Sequence, residues 1–348
     1  MSDPVIGIGL IGAGFIAEYH LAGLASAGGA VVHVVSGRTP ARTRALAERF
    51  QIGRVTEDWR SVLADPEVGA VVVVTPDHTH EAIAVAAARA GKSILLQKPM
   101  AGSAAACERI IAAAREHGVD LQVSYMHRHF GEVARLRELL ASDALGAIHS
   151  VRIRNATPGP DWGDWFFKSS AVGNGVVDQL GIHGIDLVTH LLGPITRVTG
   201  RLATLSPRRR LADGRVVDVE VADTACAIYE LACGALVTHE MSMIERQGCD
   251  RFRLEVYGER GTVWLRTERG PFAAWLDGDP AGCWRVPAID EPPLGHVQHL
   301  RWLESLRGDA SPDHSALDAL AAARVVEGLA LASREPGAWV SVEGVDRQ

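Results

Sequence analysis

Gly12, Gly14 and Ala17 stand near the start of the chain with a spacing that suits one task, holding a pyrophosphate against backbone. In a G-x-G-x-x-G/A turn the first glycine makes the tight bend and the second lets backbone approach the anion. The third small residue lets helix pack on strand. The stretch "PVIGIGLI" before the turn is apolar and short enough to be a buried strand, and "AEYHLAGLAS" after it has the composition of a helix. A strand–turn–helix brings the helix amino terminus, with its N–H groups and positive dipole, to the ligand. Gly12, Gly14, Phe15 and Ile16 are therefore candidate cofactor-binding residues.

The next chemical signal is "SGRTP", residues 36–40, at the end of a second apolar run. Dinucleotide-binding domains that prefer NAD place Asp or Glu there to bind the ribose 2′-hydroxyl. This segment has no acid: Gly37 fills the expected acidic position and Arg38 follows, with Ser36 and Thr39 as further phosphate ligands. Arg38 can stack on adenine or pair with a 2′-phosphate. NADP is favoured over NAD, with dual use left open. His78 and His80 form H-x-H, but no further ligands cluster nearby, so no metal is expected.

These residues need a scaffold, and the first third of the chain supplies alternating strands and helices. "VIGIGLIG", "AVVHVVSGR", "GAVVVVTP", "KSILLQKP" and "VDLQVSYM" read as strands, separated by helical stretches such as "TPARTRALAERF" and "AAACERIIAAAREHG". Such alternation implies a parallel sheet covered on both faces, hence a Rossmann-type domain over residues 1–125. Residues 126–348 read differently. "IHSVRIRNA", "ITRVTGRLAT", "DTACAIYELACG", "ALVTHEMSMI", "RFRLEVYGERG" and "TVWLRTE" are strand-like and joined by turns, with one helix around "DQLGIHGIDLVTHLLG". This predicts an α+β domain with a large, mainly antiparallel open sheet. The carboxyl-terminal helix "HSALDALAAARVVEGLALASRE" can pack back on the first domain, and "AWVSVEG" reads as a last strand.

Bulk properties narrow the function classes. A net charge of −7 over 348 residues gives no footprint for nucleic acid or acidic membrane. The one basic run, Arg208–Arg210, reads as a solvated loop or hairpin tip. Cys107, Cys226, Cys233, Cys249 and Cys283 show no C-x-x-C spacing, which suits a reducing compartment. No apolar run approaches a membrane span, and a cytoplasmic location is expected.

With these elements in place the chain resembles the glucose–fructose oxidoreductase / inositol dehydrogenase / MocA family of NAD(P)-dependent oxidoreductases. Four blocks carry the likeness: "IGAGFIAEYH", "VVVTPDHTHEAIAVAAARAGKSILLQKPM", "GVVDQLGIHGIDLVTHLLG" and "LEVYGERGTV". The resemblance implies hydride transfer between a nicotinamide and a hydroxyl-bearing carbon of a sugar, cyclitol or derivative. It also implies a homodimer or homotetramer. Independently, strands with few covering helices suggest an apolar sheet face open to a second copy.

The resemblance also assigns residues. Lys98 in "QKP" matches the family's E-K-P lysine, and His183 in "QLGIHGID" matches the histidine of its D-x-G-x-H. Lys98 lies just after an apolar strand, where open α/β sheets place ligands. Both are the expected catalytic residues, Lys98 also touching cofactor and His183 substrate. Thr75, Pro76 and His80 match the cofactor-side loop. Tyr125, His127, Arg128, Asp161, Trp162 and Trp165 are expected pocket walls, with a core role open for the tryptophans. Asp186, three residues after His183, either orients the imidazole or is structural. Two departures stand out. Gln97 replaces the acid of E-K-P, and Gln179 stands four residues before His183 where an acid is usual. Asp178 is adjacent, but one helical step turns a side chain by about 100°. Asp178 and Gln179 are both candidate substrate ligands. A lyase or glycosidase using transient oxidation, or a non-catalytic dinucleotide-binding sensor, are the alternative functions.

Overall fold

A computed structural model describes residues 5–246, 251–268, 270–311 and 313–342. The chain forms two compact units. One contains the residues up to Met126 together with Pro292–Leu320, the other His127–Glu291 and the stretch that begins at Ala321.

The first unit alternates strand and helix. It runs β1 (Ile6–Ile11), α1 (Ala17–Ala27), β2 (Ala30–Ser36), α2 (Pro40–Arg49), β3 (Arg54–Thr56) and α3 (Trp59–Leu63). Then come β4 (Ala70–Val73), α4 (His80–Arg89), β5 (Ser93–Gln97), α5 (Ala104–Glu116) and β6 (Leu121–Ser124). The sheet order is β3-β2-β1-β4-β5-β6, and every pairing is parallel. Strand order reverses between β1 and β4, which is where such sheets take their ligands. Its central strands are buried on both faces, so β4 is apolar throughout rather than alternating.

The second unit carries α6 (Gly131–Ala141), β7 (Ile148–Ala156), α7 (Ile182–Leu192), β8 (Ile195–Ala203) and a small hairpin of β9 (Arg208–Arg210) with β10 (Val216–Asp218). It continues with β11 (Thr224–Leu231), β12 (Leu236–Ser242), β13 (Phe252–Gly258), β14 (Gly261–Arg266) and β15 (Phe272–Leu276). The chain then forms α8 (His296–Arg307), α9 (Ser315–Ala332) and β16 (Val340–Ser341). An eight-stranded sheet has the order β15-β14-β13-β7-β12-β11-β8-β16, antiparallel except where β7 meets β12. The basic run 208–210 is thus a hairpin strand, with the Arg209 guanidinium on the carbonyl of Met243. α8 belongs to the first unit and packs on α1. Among the described residues no helix is long and apolar enough to cross a membrane. Cys107, Cys226, Cys233 and Cys283 are free thiols, while Cys249 lies outside the described residues.

Alternation along β7, β11 and β12 sends Ile153, Ala227 and Val237 inward, beneath α7. Gly184 lets α7 sit close, since a Cβ there would stand 2.6 Å from His239 Cε1. The opposite face is not the apolar surface the sequence suggests. Cross-strand partners Arg197 and Glu230 bond at 3.0 Å, Arg152 and Glu255 lie 3.6 Å apart, and Arg154 and Glu240 3.7 Å. Ile228 and Leu236 are isolated apolar side chains among these charges.

Inside the sheet, His239 Nε2 lies 2.7 Å from Asn155 Oδ1, and the Tyr229 hydroxyl is 3.0 Å from His239 Nδ1. A neutral imidazole satisfies both, donating to the amide oxygen and accepting from the hydroxyl. Burial pushes the His239 pKa from 6.5 down to about 3. Unfolded, the same ring takes a proton near pH 6.5, so the unfolded state binds more protons below that pH and stability falls as pH drops toward 3. Thermal melts should show Tm falling from about pH 6.5 to pH 4, and His239→Gln should make the slope shallower by up to about 1.4 kcal/mol per pH unit. An unchanged slope in the variant would contradict this account of His239.

Candidate active site

The carboxyl ends of β1, β2, β4, β5 and β6 share one edge of the parallel sheet, followed by Gly12, Gly37, Val74, Lys98 and Tyr125. Gly12 has a φ of 116°, and a Cβ there would stand 2.7 Å from the Val74 carbonyl oxygen. Its N–H donates to the Ser36 carbonyl and that of Val74 to the Ile11 carbonyl, both at 2.8 Å. Glycine is compulsory there for internal reasons. Gly14 differs, because a Cβ would meet only the Val74 oxygen, at 4.0 Å. Within the unit position 14 is uncrowded, which leaves room for the close approach to bare backbone that a pyrophosphate makes. Phe15 is exposed, Ile16 caps α1, and Ala17 is buried against the core formed by Ile8, Leu10 and Val35. These residues fit a dinucleotide.

At the end of β2, Ser36 is buried while Arg38 and Thr39 are exposed. A Cβ on Gly37 would lie 2.4 Å from Thr43 Oγ1 and 2.9 Å from the Ala13 methyl. At the position that would hold an acid, a side chain would have to displace Thr43 and Ala13. After β4, the Thr79 hydroxyl lies 2.7 Å from Thr75 Oγ1 and 2.6 Å from the Pro76 carbonyl. His80 is buried, with Nδ1 2.9 Å from the Pro99 carbonyl and Nε2 2.9 Å from that of Thr75. It ties the loop after β4 to the loop after β5. His78 is exposed, so the H-x-H pair does not converge. Among the described residues no group of three or more His, Cys, Asp or Glu could hold a metal ion.

Lys98 follows β5, half-buried, and precedes cis-Pro99. Burial raises the Asp77 carboxyl pKa, opposed by the charges of His80 and Lys98. Asp77 is thus an electrostatic neighbour of Lys98 that sequence reasoning passed over. Its only signal was an acid inside "TPDHTH". Tyr125 is almost fully buried at the end of β6.

In the second unit α7 presents His183 and Asp186 on one face, three residues apart. His127 stacks on His183, with ring centroids 4.3 Å apart and planes at 26°. Beside it, Arg128 Nε donates to Asp186 at 2.9 Å and Nη2 adds a second bond, both side chains being almost fully buried. Arg128, expected as a pocket wall, is therefore a support. Asp186, for which two roles were open, receives that guanidinium. Trp165 stacks on Phe166 at 3.7 Å in a satellite cluster with Leu211 and Val219, whereas Trp162 is largely exposed. Asp161 offers its carbonyl to Ala212 N–H.

The turn before His183 is not α-helical. Val177–Gly181 form a π turn, closed by an Ile182 N–H that reaches the Val177 carbonyl five residues back. Such turns take in one extra residue. Asp178, five residues before His183, and Gln179, four before, both belong to that widened turn. Asp178 is buried and accepts the Asn174 N–H at 2.7 Å. The 100° step between neighbours, taken from α geometry, does not hold there.

Residues 6–125 match the family described as "Oxidoreductase family, NAD-binding Rossmann fold", and residues 133–264 match the "GFO/IDH/MocA C-terminal domain". The chain is 32% identical to an inositol 2-dehydrogenase of Acidothermus cellulolyticus, over 80% of this chain and 77% of that one. It is 27% identical to a levoglucosan dehydrogenase of Pseudarthrobacter phenanthrenivorans, over 76% of this chain and 74% of that one. The fold matches a solved levoglucosan dehydrogenase in complex with NADH at a TM-score of 0.90 and 24% identity, over 98% of this chain and 100% of that one. The protein belongs to the GFO/IDH/MocA family of oxidoreductases with an NAD-binding Rossmann fold.

Proposed function

We propose that the protein transfers hydride between NADP(H) and a hydroxyl-bearing carbon of a sugar, cyclitol or derivative. The observation that carries this is the single sheet edge bearing the open Gly14 backbone and Lys98 together. The names of the relatives, an inositol and a levoglucosan dehydrogenase, support the substrate class. When bound, the nicotinamide supplies the hydride acceptor or donor. Gly12, Gly14, Phe15 and Ile16 hold the pyrophosphate half, and Thr75 and Pro76 line the neighbouring loop. Arg38, exposed beside a Gly37 that excludes an acid, favours a 2′-phosphate.

Oxidising an alcohol requires a base for the hydroxyl proton and donors to hold the oxygen as charge develops. Lys98 donates to that oxygen as an ammonium and takes its proton as a neutral amine. His183, whose ring is fixed by His127, shares the task. Asp178 supplies the carboxylate that α spacing would place at 179, and Gln179 hydrogen-bonds a further hydroxyl. The exposed ring of Trp162 offers a face to the C–H side of a sugar.

A panel of sugars and cyclitols with both nicotinamides, followed at the reduced-cofactor absorbance, should show net turnover. Its complete absence would contradict the assignment. Lys98→Met and His183→Ala should each lower kcat by about 10²- to 10⁴-fold with cofactor affinity little changed. The double variant should lose much less than the product of the single losses. Near-normal turnover in either single variant removes that residue from the chemistry. Asp178→Asn should lower kcat more than Gln179→Ala, and the reverse order would return the role to position 179. Arg38→Ala should weaken NADPH by about 10-fold and NADH much less, read by fluorescence titration. Equal losses would remove the argument for NADP.

A further inference from the structure

Gln97 departs from the family's acid, and the first unit shows what it is bonded to. Its Nε2 lies 3.2 Å from His20 Nε2 on α1, and its Oε1 accepts the Lys98 backbone N–H at 2.8 Å. His20 Nδ1 lies 3.0 Å from His299 Nε2 on α8, and His299 Nδ1 lies 2.6 Å from the Gly295 carbonyl oxygen. Both rings are fully buried, and Gly23 makes room for one, since a Cβ there would stand 2.2 Å from His299 Nδ1.

The ends of this chain fix every proton in it. A carbonyl only accepts, so His299 carries its proton on Nδ1 and offers a lone pair at Nε2. An amide N–H only donates, so the Gln97 oxygen faces Lys98 and its amino group faces His20. His20 must then accept at Nε2 and donate from Nδ1, which the His299 lone pair receives. Donors and acceptors match with both imidazoles neutral. Burial, together with the neighbouring His299, holds the His20 pKa well below 6.5, and burial pushes that of His299 down to about 4. A parallel line runs beside it: the Tyr19 hydroxyl donates to Gln298 Oε1 at 2.7 Å, and Gln298 Nε2 donates to Ser124 Oγ at 3.0 Å. Thus α1, which begins at the dinucleotide turn, and α8 are tied to the ends of β5 and β6.

We propose that Gln97, His20 and His299 are positioning residues for Lys98, a one-directional hydrogen-bond chain that sets the orientation of the Lys98 peptide. The functional part rests on the assignment of Lys98 to the hydroxyl proton. The chain also accounts for glutamine at position 97. A carboxylate there would accept from Lys98 N–H but present a second acceptor to the His20 lone pair, and one proton would be missing. An acid at 97 therefore works only when one more proton is bound, on the carboxyl itself or on the histidine pair.

Two measurements test this. Long-range ¹H–¹⁵N correlation of histidine-labelled wild-type protein, assigned with His20→Asn and His299→Asn, reports tautomer and charge. Both rings should be neutral with the proton on Nδ1 between about pH 6 and pH 8, although a histidine side chain free in water prefers Nε2. A proton on Nε2 of either ring, or a charged ring near neutrality, overturns the chain. In steady-state kinetics Gln97→Glu should lower kcat by about 10-fold or more near pH 8 with KM little changed, as misplacement of a reacting group does. Its kcat should recover toward about pH 6 as the carboxyl and the histidine pair together take up the proton that completes the chain. A Gln97→Glu profile parallel to the wild type at every pH overturns the positioning role. Undiminished turnover in Lys98→Met would instead sink the assignment of Lys98, while the tautomers would still stand or fall by the spectra.

Discussion

The contact on which the first unit depends is the approach of Gly12 to the carbonyl of Val74. Two parallel strands, β1 and β4, end side by side at the point where the order of the sheet reverses. Their chains must then leave in different directions, one into α1 and one into the "TPDHTH" loop. A side chain at position 12 would fill the gap, and with a Cβ only 2.7 Å from the Val74 oxygen the strands would have to part. Everything functional at the sheet edge is measured from this contact. The next residues of one chain form the phosphate turn, and those of the other form a loop that His80 ties to Pro99 and so to Lys98.

What was legible in the sequence is what depends on local pattern. Apolar runs of strand length alternating with helices announced the parallel sheet, and the glycine spacing announced its turn. Strand-like runs joined by turn residues rather than helices announced the second sheet. Elements whose buried faces are polar were invisible. α8 buries Gln298 and His299 beside Trp302 and Leu303, and α6 buries Glu132 beside Val133 and Leu136. In α6 Val133, Leu136 and Leu139 do recur at helical spacing, so there it is the polar residues among them that mask the stripe. β3 and β10 are three residues each, too short for a period to register. The supposed apolar outer face failed for a related reason. Alternation places every second residue outward, but only cross-strand register reveals that those residues are paired arginines and glutamates.

Each unit buries polar groups, by partly different means. The second unit adds an ion pair to the neutral Tyr229–His239–Asn155 set. Arg128 and Asp186 are buried together, and each is tolerated only because the other is there. The first unit uses neutral groups, two imidazoles and two carboxamides, whose desolvation cost is far smaller than that of ions. Neutrality has a further consequence. A chain of neutral donors and acceptors has a direction, set by its ends, whereas an ion pair tolerates small rotations. Direction suits the task of fixing one peptide plane next to Lys98.

The two departures from the family pattern therefore carry less chemical change than the sequence alone suggests. Gln97 is not a lost acid at the reacting centre, because its amide faces His20 on one side and backbone on the other. Gln179 lies in a π turn that takes in one more residue than an α turn, and Asp178, a carboxylate, stands within that same turn before His183. Beside each glutamine stands a local feature, a histidine pair at one and a widened turn at the other. A sensor that bound dinucleotide without turnover would need neither. A transient-oxidation lyase would need the same proton-handling groups, so it differs from a dehydrogenase in the fate of the oxidised carbon rather than in these residues. With an inositol and a levoglucosan dehydrogenase among its relatives, net oxidation and reduction is the chemistry this arrangement fits.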